Sequence, residues 1–219
     1  MSADYHDYFI KDGRHLGRYE EMYQNCLDPW RIEELGLRLD MRAALLLLAG
    51  REKAVDRFLD LGAGLGLFTA LLAEALWRVN PEARGLITDI SATAVARAES
   101  RLADPRLEFK RLDARSLPGC SDLPPHTFDL IIMAQILWGI LEDLDRTLAA
   151  LPALLTPGGV ILISQHFPGP EGQSYGREIV SGPEDLSRRL AGAGLEVLET
   201  LESNRAVNHH WAALIGPRP

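Results

Sequence analysis

Phe58-Leu59-Asp60-Leu61-Gly62-Ala63-Gly64-Leu65-Gly66 is the stretch that decides the fold. An apolar run ends in an acid and passes through three spaced glycines into a second apolar segment. The run is short enough to be a buried strand. Glycines admit positive φ and let a ligand approach the backbone. The helix that follows offers free N–H groups at its start. A dinucleotide loop, G-x-G-x-x-G, carries its third glycine one residue later. Here position 67 is Leu67 and the spacing is G-x-G-x-G. A pyrophosphate cradle needs no carboxylate at Asp60, whereas a ligand bearing an ammonium group gains from one. The alternative is a tight strand-to-helix turn that holds no ligand.

Downstream of this turn the chain alternates. Residues 65–79 read as a helix and 85–89 as a strand. A helix capped by Ser91 runs through Leu102, and residues 106–112 alternate as a third strand. Residues 128–133 form a strongly apolar fourth strand. Residues 141–155 read as a helix that Pro152 kinks or breaks. Thr156-Pro157-Gly158-Gly159 is a turn into a fifth strand, 160–164. Pro183 opens a last helix that Gly192 and Gly194 close. Residues 195–201 and 209–215 form a terminal hairpin. Such alternation implies a parallel sheet with helices on both faces, an α/β fold. Upstream, residues 15–25 and 31–48 read as helices separated by Asp28-Pro29. The expected organisation is a helical lead, 1–53, acting as a lid on one compact domain, 54–219.

Composition bounds the function. The chain has 219 residues, 47% apolar and 25% charged, with a net charge of −8. One domain with a full core suits this length. The acidic balance argues against a nucleic-acid partner. The longest apolar run, residues 43–50, is too short for a bilayer, and the acidic, aromatic N-terminus has no signal-peptide core. Cys26 and Cys120 read as free thiols of a reducing cytosol, so a cytoplasmic location is expected. No metal is expected: His209 and His210 are adjacent on a strand and point to opposite faces.

Two further acids end strands. Asp89 can accept both hydroxyls of a ribose or cap the following helix. Asp113 can hold an adenine edge or sit in a surface turn. With Asp60 and the glycines, and with Phe128-Asp129-Leu130-Ile131 and Leu155-Thr156-Pro157-Gly158-Gly159, they stand in the order of class I S-adenosylmethionine (SAM)-dependent methyltransferases. From about Val55 to Pro219 the chain resembles that family. Asp28-Pro29-Trp30 also resembles the small-molecule branch that includes nodulation N-methyltransferases. The resemblance implies a Rossmann-like seven-stranded sheet, order 3-2-1-4-5-7-6, with strand seven antiparallel. It implies SAM contacts from Asp60, Gly62, Ala63, Gly64 and Gly66 (methionine portion), Asp89 (ribose), Ile90, Asp113 and Ala114 (adenine), and Ala134 and Gln135 (sulfonium). Gln135 departs from the acidic or amide-proline motifs of many amino-directed members. No Asn-Pro-Pro-Tyr type sequence is present, which disfavours DNA-adenine and protein-glutamine acceptors.

Methyl transfer from SAM is an in-line displacement in which alignment does most of the work. His166 is the candidate base, with Tyr175 and Gln135 as further catalytic candidates. Tyr19, Tyr23, Trp30, Trp138 and Gln165 are candidates for the substrate pocket; aromatic rings there can face the sulfonium or simply pack. The Gly/Pro-rich segment 165–181 is expected to be a small lid, which suits a small-molecule partner. The expected function is methylation of an amine or hydroxyl of a small metabolite. The alternatives are a SAM cyclase forming azetidine-2-carboxylate and methylthioadenosine, and a non-catalytic SAM-binding protein. A homodimer through the lead helices is a further expectation.

Overall fold

The computed structural model describes residues 5–51, 53–169, 172, 175–205 and 208–218. Met1 to Asp4 lie outside these, as do Pro170, Glu171, Gln173 and Ser174 at the centre of the expected lid. The sheet is built from β1 (Arg57–Leu61), β2 (Arg84–Asp89), β3 (Leu107–Arg111), β4 (Phe128–Ala134), β5 (Leu155–Pro168), β6 (Leu195–Arg205) and β7 (Asn208–Pro217). Its seven strands lie in the order 3-2-1-4-5-7-6. Strands β1 to β5 run parallel, and β7 is antiparallel to both β5 and β6. The expected α/β sheet is the observed one. The helices are α1 (Tyr19–Asn25), α2 (Ile32–Leu35), α3 (Leu39–Ala49), α4 (Leu67–Val79), α5 (Ala92–Leu102), α6 (Leu137–Ile140), α7 (Leu144–Ala150) and α8 (Pro183–Gly192).

Side chains alternate across β4 and divide the core into two layers. Ile131 and Met133 face α1, α5, α7 and α8; Leu130 and Ile132 face α3 and α4. Every residue of β4 except Ala134 is buried, which explains its unbroken apolar reading. Packing is close where β2 pairs with β1. A Cβ on Gly85 would lie 2.3 Å from Phe58 Cζ and 2.9 Å from Leu107 Cδ2.

Several boundaries differ from the sequence expectation. The lead helix begins at Tyr19 because Gly17 is left-handed (φ +63°), and His15 instead joins a two-residue hairpin, Arg14–His15 with Ile10–Lys11. The expected helix 31–48 is two helices, broken at Gly36 (φ +74°). Pro152 ends the helix expected over 141–155: only α7 is α-helical, and a 3-10 turn, Leu151–Leu154, contains the proline. Strand β5 runs to Pro168, so Gln165 and His166 lie within the strand rather than beyond it.

Gly85→Ala is expected to lower the urea midpoint by the equivalent of about 1–3 kcal/mol with an unchanged m value. An unchanged midpoint would contradict the packing described.

Candidate active site

The carboxyl edge of the sheet carries a cavity of about 680 Å³, inside the roughly 300–1,000 Å³ typical of small-ligand pockets. Its wall includes Asp113 and Ala114 after β3, Asp89 and Ile90 at the end of β2, Gly62 and Gly64 after β1, and Ala134 and Gln135 at the end of β4. It continues to His166 and Pro168 on β5 and Asn208, where antiparallel β7 begins. From β3 to β7 this edge is roughly 24 Å wide at normal strand spacing. The lead covers it with Tyr19, Tyr23, Trp30, Arg38 and Met41.

The glycine loop is held by Asp89. Gly64 N–H donates to Asp89 Oδ2 (2.9 Å) and Ser91 N–H donates to Asp89 Oδ1 (2.9 Å). Ser91 Oγ in turn caps α5 at Ala94 N–H (3.1 Å). Asp89 therefore shapes the loop and faces the cavity, while the cap of α5 is Ser91 rather than Asp89. Burial pushes its carboxyl up to about 6, against the backbone donors that pull it down. Gly62 and Gly64 are left-handed, at φ +73° and +56°. A Cβ on Gly62 would meet Ile136 at 2.7 Å, and one on Gly64 would meet the Tyr23 hydroxyl at 2.7 Å. Gly66 does not reach the cavity; it packs on α5, where a Cβ would lie 3.2 Å from Ala98 Cβ.

Asp60 is buried, accepts from Thr69 Oγ1 (2.6 Å) and touches the cavity. Burial lifts its carboxyl to about 7. A ligand cation at the wall would favour its ionised form. Asp113 caps a 3-10 turn and pairs with Arg115 at 2.7 Å.

The lead is fixed by polar contacts. Glu20 on α1 accepts from Thr93 Oγ1 (2.5 Å) and Ser91 Oγ (2.7 Å), and these hydrogen bonds hold its carboxyl down at about 2. Asp28 caps α2 at Ile32 N–H (3.1 Å) and Glu33 N–H (2.8 Å). That turn presents Trp30, whose indole N–H donates to Tyr23 Oη (2.8 Å). Trp30 also packs edge-on against Phe9, with centroids 5.3 Å apart. Tyr19 Oη lies 3.0 Å from His15 Nε2.

Gln135 is left-handed at φ +60°, a conformation that costs a non-glycine residue about 1–3 kcal/mol. Its backbone N–H donates to Ser164 O (2.8 Å), and its side-chain amide donates to Asp40. Asp40, 0% exposed, also accepts from Ser164 Oγ (2.7 Å) and His210 Nδ1 (2.6 Å). His166 Nε2 donates to Asn208 Oδ1 (2.7 Å), which leaves Nδ1 the lone pair. Burial, then the nearby Arg38 cation, lowers the His166 imidazole to about 4, so it is neutral at pH 7. Trp138 lines the cavity and packs edge-on against Phe167.

Two candidates stand off the wall. Gln165, next to His166 on β5, takes the other face of the strand; it is fully buried and donates to His166 O (2.9 Å). Tyr175 stacks on His15 with centroids 5.3 Å apart. Asp40 and Arg38 were missed by the sequence reading, where they pass for ordinary polar positions of a helix. His210 takes Asp40 while His209 takes Glu202 (2.7 Å), as opposite-facing neighbours must.

The described fold, with its glycine loop and strand-end acids, meets known proteins at this point. Residues 59–161 match a family model described as a methyltransferase domain. Over those residues, just under half of its length, the chain is similar to methyltransferase domains. It is 31% identical over 121 residues to the compactin diketide synthase of Penicillium citrinum, a match covering 54% of this chain and 5% of the synthase. The chain thus spans a small fraction of the curated synthases it matches. In fold it is similar to N-methyltransferase NodS of Bradyrhizobium japonicum WM9 in complex with S-adenosylhomocysteine. That likeness has TM-score 0.68 at 21% identity, covering 92% of this chain and 98% of that one. It is also similar to a citrinin polyketide synthase CMeT domain, with TM-score 0.55 at 19% identity, covering 74% and 47% of the two chains.

The raised carboxyl of Asp60 fixes the sign of a pH effect. Its folded value, near 7, exceeds its ordinary 3.8. Its stabilising contribution is full below pH 4 and is lost as pH rises through 7. The gain of Asp60→Asn over the unliganded wild type is expected to be larger at pH 8 than at pH 5, by about 2–4 kcal/mol. Denaturation at the two pH values checks this; equal gains would contradict it.

Proposed function

We propose that the chain transfers the sulfonium methyl of SAM to an amine or hydroxyl of a small metabolite. One observation carries this reading: the cavity wall runs from Asp113 and Ala114 after β3 to His166, Pro168 and Asn208 on β5 and β7, so it has one end at the residues expected to hold adenosine and methionine and a second end beyond them. The first end has Asp113 and Ala114 for adenine, Asp89 for the ribose hydroxyls, and Asp60 with the glycine loop for the amino-acid ammonium. The second end is lined by Arg38, Met41, His166, Pro168 and Asn208.

SAM supplies an activated methyl and its own leaving group, becoming S-adenosylhomocysteine. The chain's residues align and desolvate. Gln135, anchored by Asp40, and Ala134 border the place where the two ends meet. Tyr23, Trp30 and Trp138 give aromatic walls that exclude water and favour a cation, worth roughly 0.5–2 kcal/mol per ring contact. An amine is largely protonated near neutrality and a hydroxyl attacks poorly, so either must give up a proton. His166, held neutral, accepts it.

The likeness to polyketide synthases and to a CMeT domain favours a second reading, in which the methylated atom is an acidic carbon. His166 would then remove a C–H proton. Cyclisation within SAM has no use for the second end, which weighs against it.

The test is incubation with SAM alone and with nitrogen, oxygen and carbon acceptors in turn, with product masses recorded. S-adenosylhomocysteine formed only with an acceptor, and methylated product on that acceptor, is the expected result. Methylthioadenosine released from SAM alone would overturn methyl transfer. His166→Gln is expected to lower kcat about 10²–10⁴-fold with little change in the KM for SAM.

A further inference from the structure

The second end of the cavity holds a cation, Arg38, whose Nε meets no hydrogen-bond acceptor among the described residues. Arg38 precedes α3, and its side chain is 38% exposed. The other guanidiniums on the wall are satisfied: Arg31 grips Glu34 through Nε (2.9 Å) and Nη2 (2.6 Å). Arg115 grips Asp113 in the same bidentate way, Nε to Oδ1 (3.0 Å) and Nη2 to Oδ2 (2.7 Å). The nearest acid to Arg38 is Asp40, at 3.6 Å from Nε. That is an ion pair without a hydrogen bond, and Asp40 already serves Gln135, Ser164 and His210. Arg38 Nε is buried with no hydrogen-bond partner among the described residues. A buried donor left unmet is a cost, and a ligand that draws the guanidinium towards the cavity Arg38 lines would remove it.

We propose that the methyl acceptor carries a carboxylate, and that Arg38 reads it at the β5–β7 end of the cavity beside His166. The proposal rests on the reading of this cavity as a methyltransferase site. A guanidinium fork matches a planar carboxylate in two parallel hydrogen bonds. A single fork in a wall that also carries Asp60 and Asp89 suits a monoanion better than a phosphate dianion. The acceptor is thus a small acid whose amine, hydroxyl or acidic carbon is methylated a short distance from its carboxylate.

The same contact acts on the base. The charged or titratable groups facing His166 are Arg38 and Asp40 from the α3 side and His210 from β7. Arg38 opposes protonation of His166, and Asp40 favours it. A carboxylate seated on Arg38 offsets the opposing charge. His166 then moves up, towards the range where a base works best, against the burial that is the larger cause of its low value. An acceptor without the carboxylate leaves it low, so recognition and proton removal are linked through one charge.

The probe is acetate, added to the protein saturated with S-adenosylhomocysteine while the His166 imidazole is titrated by NMR. Acetate is expected to raise the His166 pKa saturably. Chloride at equal ionic strength should not reproduce the shift. In Arg38→Gln the pKa should start higher and acetate should no longer move it. In Arg38→Lys, which keeps the charge but not the fork, the starting value should match the wild type. Acetate should then bind about tenfold more weakly. S-adenosylhomocysteine should bind all three proteins alike. No saturable shift in the wild type, or the same shift in Arg38→Gln or with chloride, overturns the proposal. Failure of the wild type to bind S-adenosylhomocysteine instead overturns the methyltransferase reading, whatever Arg38 does.

Discussion

The buried carboxylate of Asp40 is the contact on which the site depends. A charge taken wholly out of water costs several kcal/mol unless it is paired and hydrogen-bonded. Asp40 meets this by drawing three elements together: Gln135 at the end of β4, Ser164 on β5 and His210 on β7. It sits in the first turn of α3, where the helix dipole also favours an anion. Removing it would strand those polar groups. The floor of the cavity at this end is therefore set by a carboxylate from α3.

A pair of acids does for the glycine-loop end of the cavity what Asp40 does for the other end. Asp89 spends both oxygens on backbone N–H groups and so fixes the glycine loop against α5. Asp60 lies beneath the loop with one hydroxyl partner. Both carboxyls are lifted by burial, so the unliganded site holds ionised acid at a cost. A ligand bringing a cation offsets that cost, which is a physical reason for an ammonium-bearing cosubstrate here rather than a dinucleotide. Glu20 and Trp30 complete this end by fastening the lead over it.

The sheet was legible because its signals are local. The unbroken apolarity of β4, the acid-then-glycine turn after β1 and the Ser91 cap each declare themselves within a few residues, whereas the strand order came from the family resemblance. The lead was less legible. Gly17 and Gly36 break it through positive φ, which periodicity alone overlooks. Gly66 looked like a ligand contact, but its missing Cβ is needed by Ala98. Arg38 and Asp40 could not be singled out, because the hydrogen-bond partners that give Asp40 its meaning lie 95, 124 and 170 residues away. Gln165 and Tyr175 were drawn to the site by residue type. Strand alternation turns the first away, and stacking on His15 takes the second.

The central claim is that one continuous cavity holds donor and acceptor on opposite sides of Gln135. A crystal structure with S-adenosylhomocysteine tests it most directly. The account predicts adenine against Asp113 and Ala114, ribose hydroxyls on Asp89, and the sulfur beside Gln135. Open space should then extend from the sulfur towards His166 and Arg38. A ligand whose sulfur is sealed by Tyr23 and Trp30, with its own amine folded back on the γ-carbon and the His166 end closed off, would contradict it.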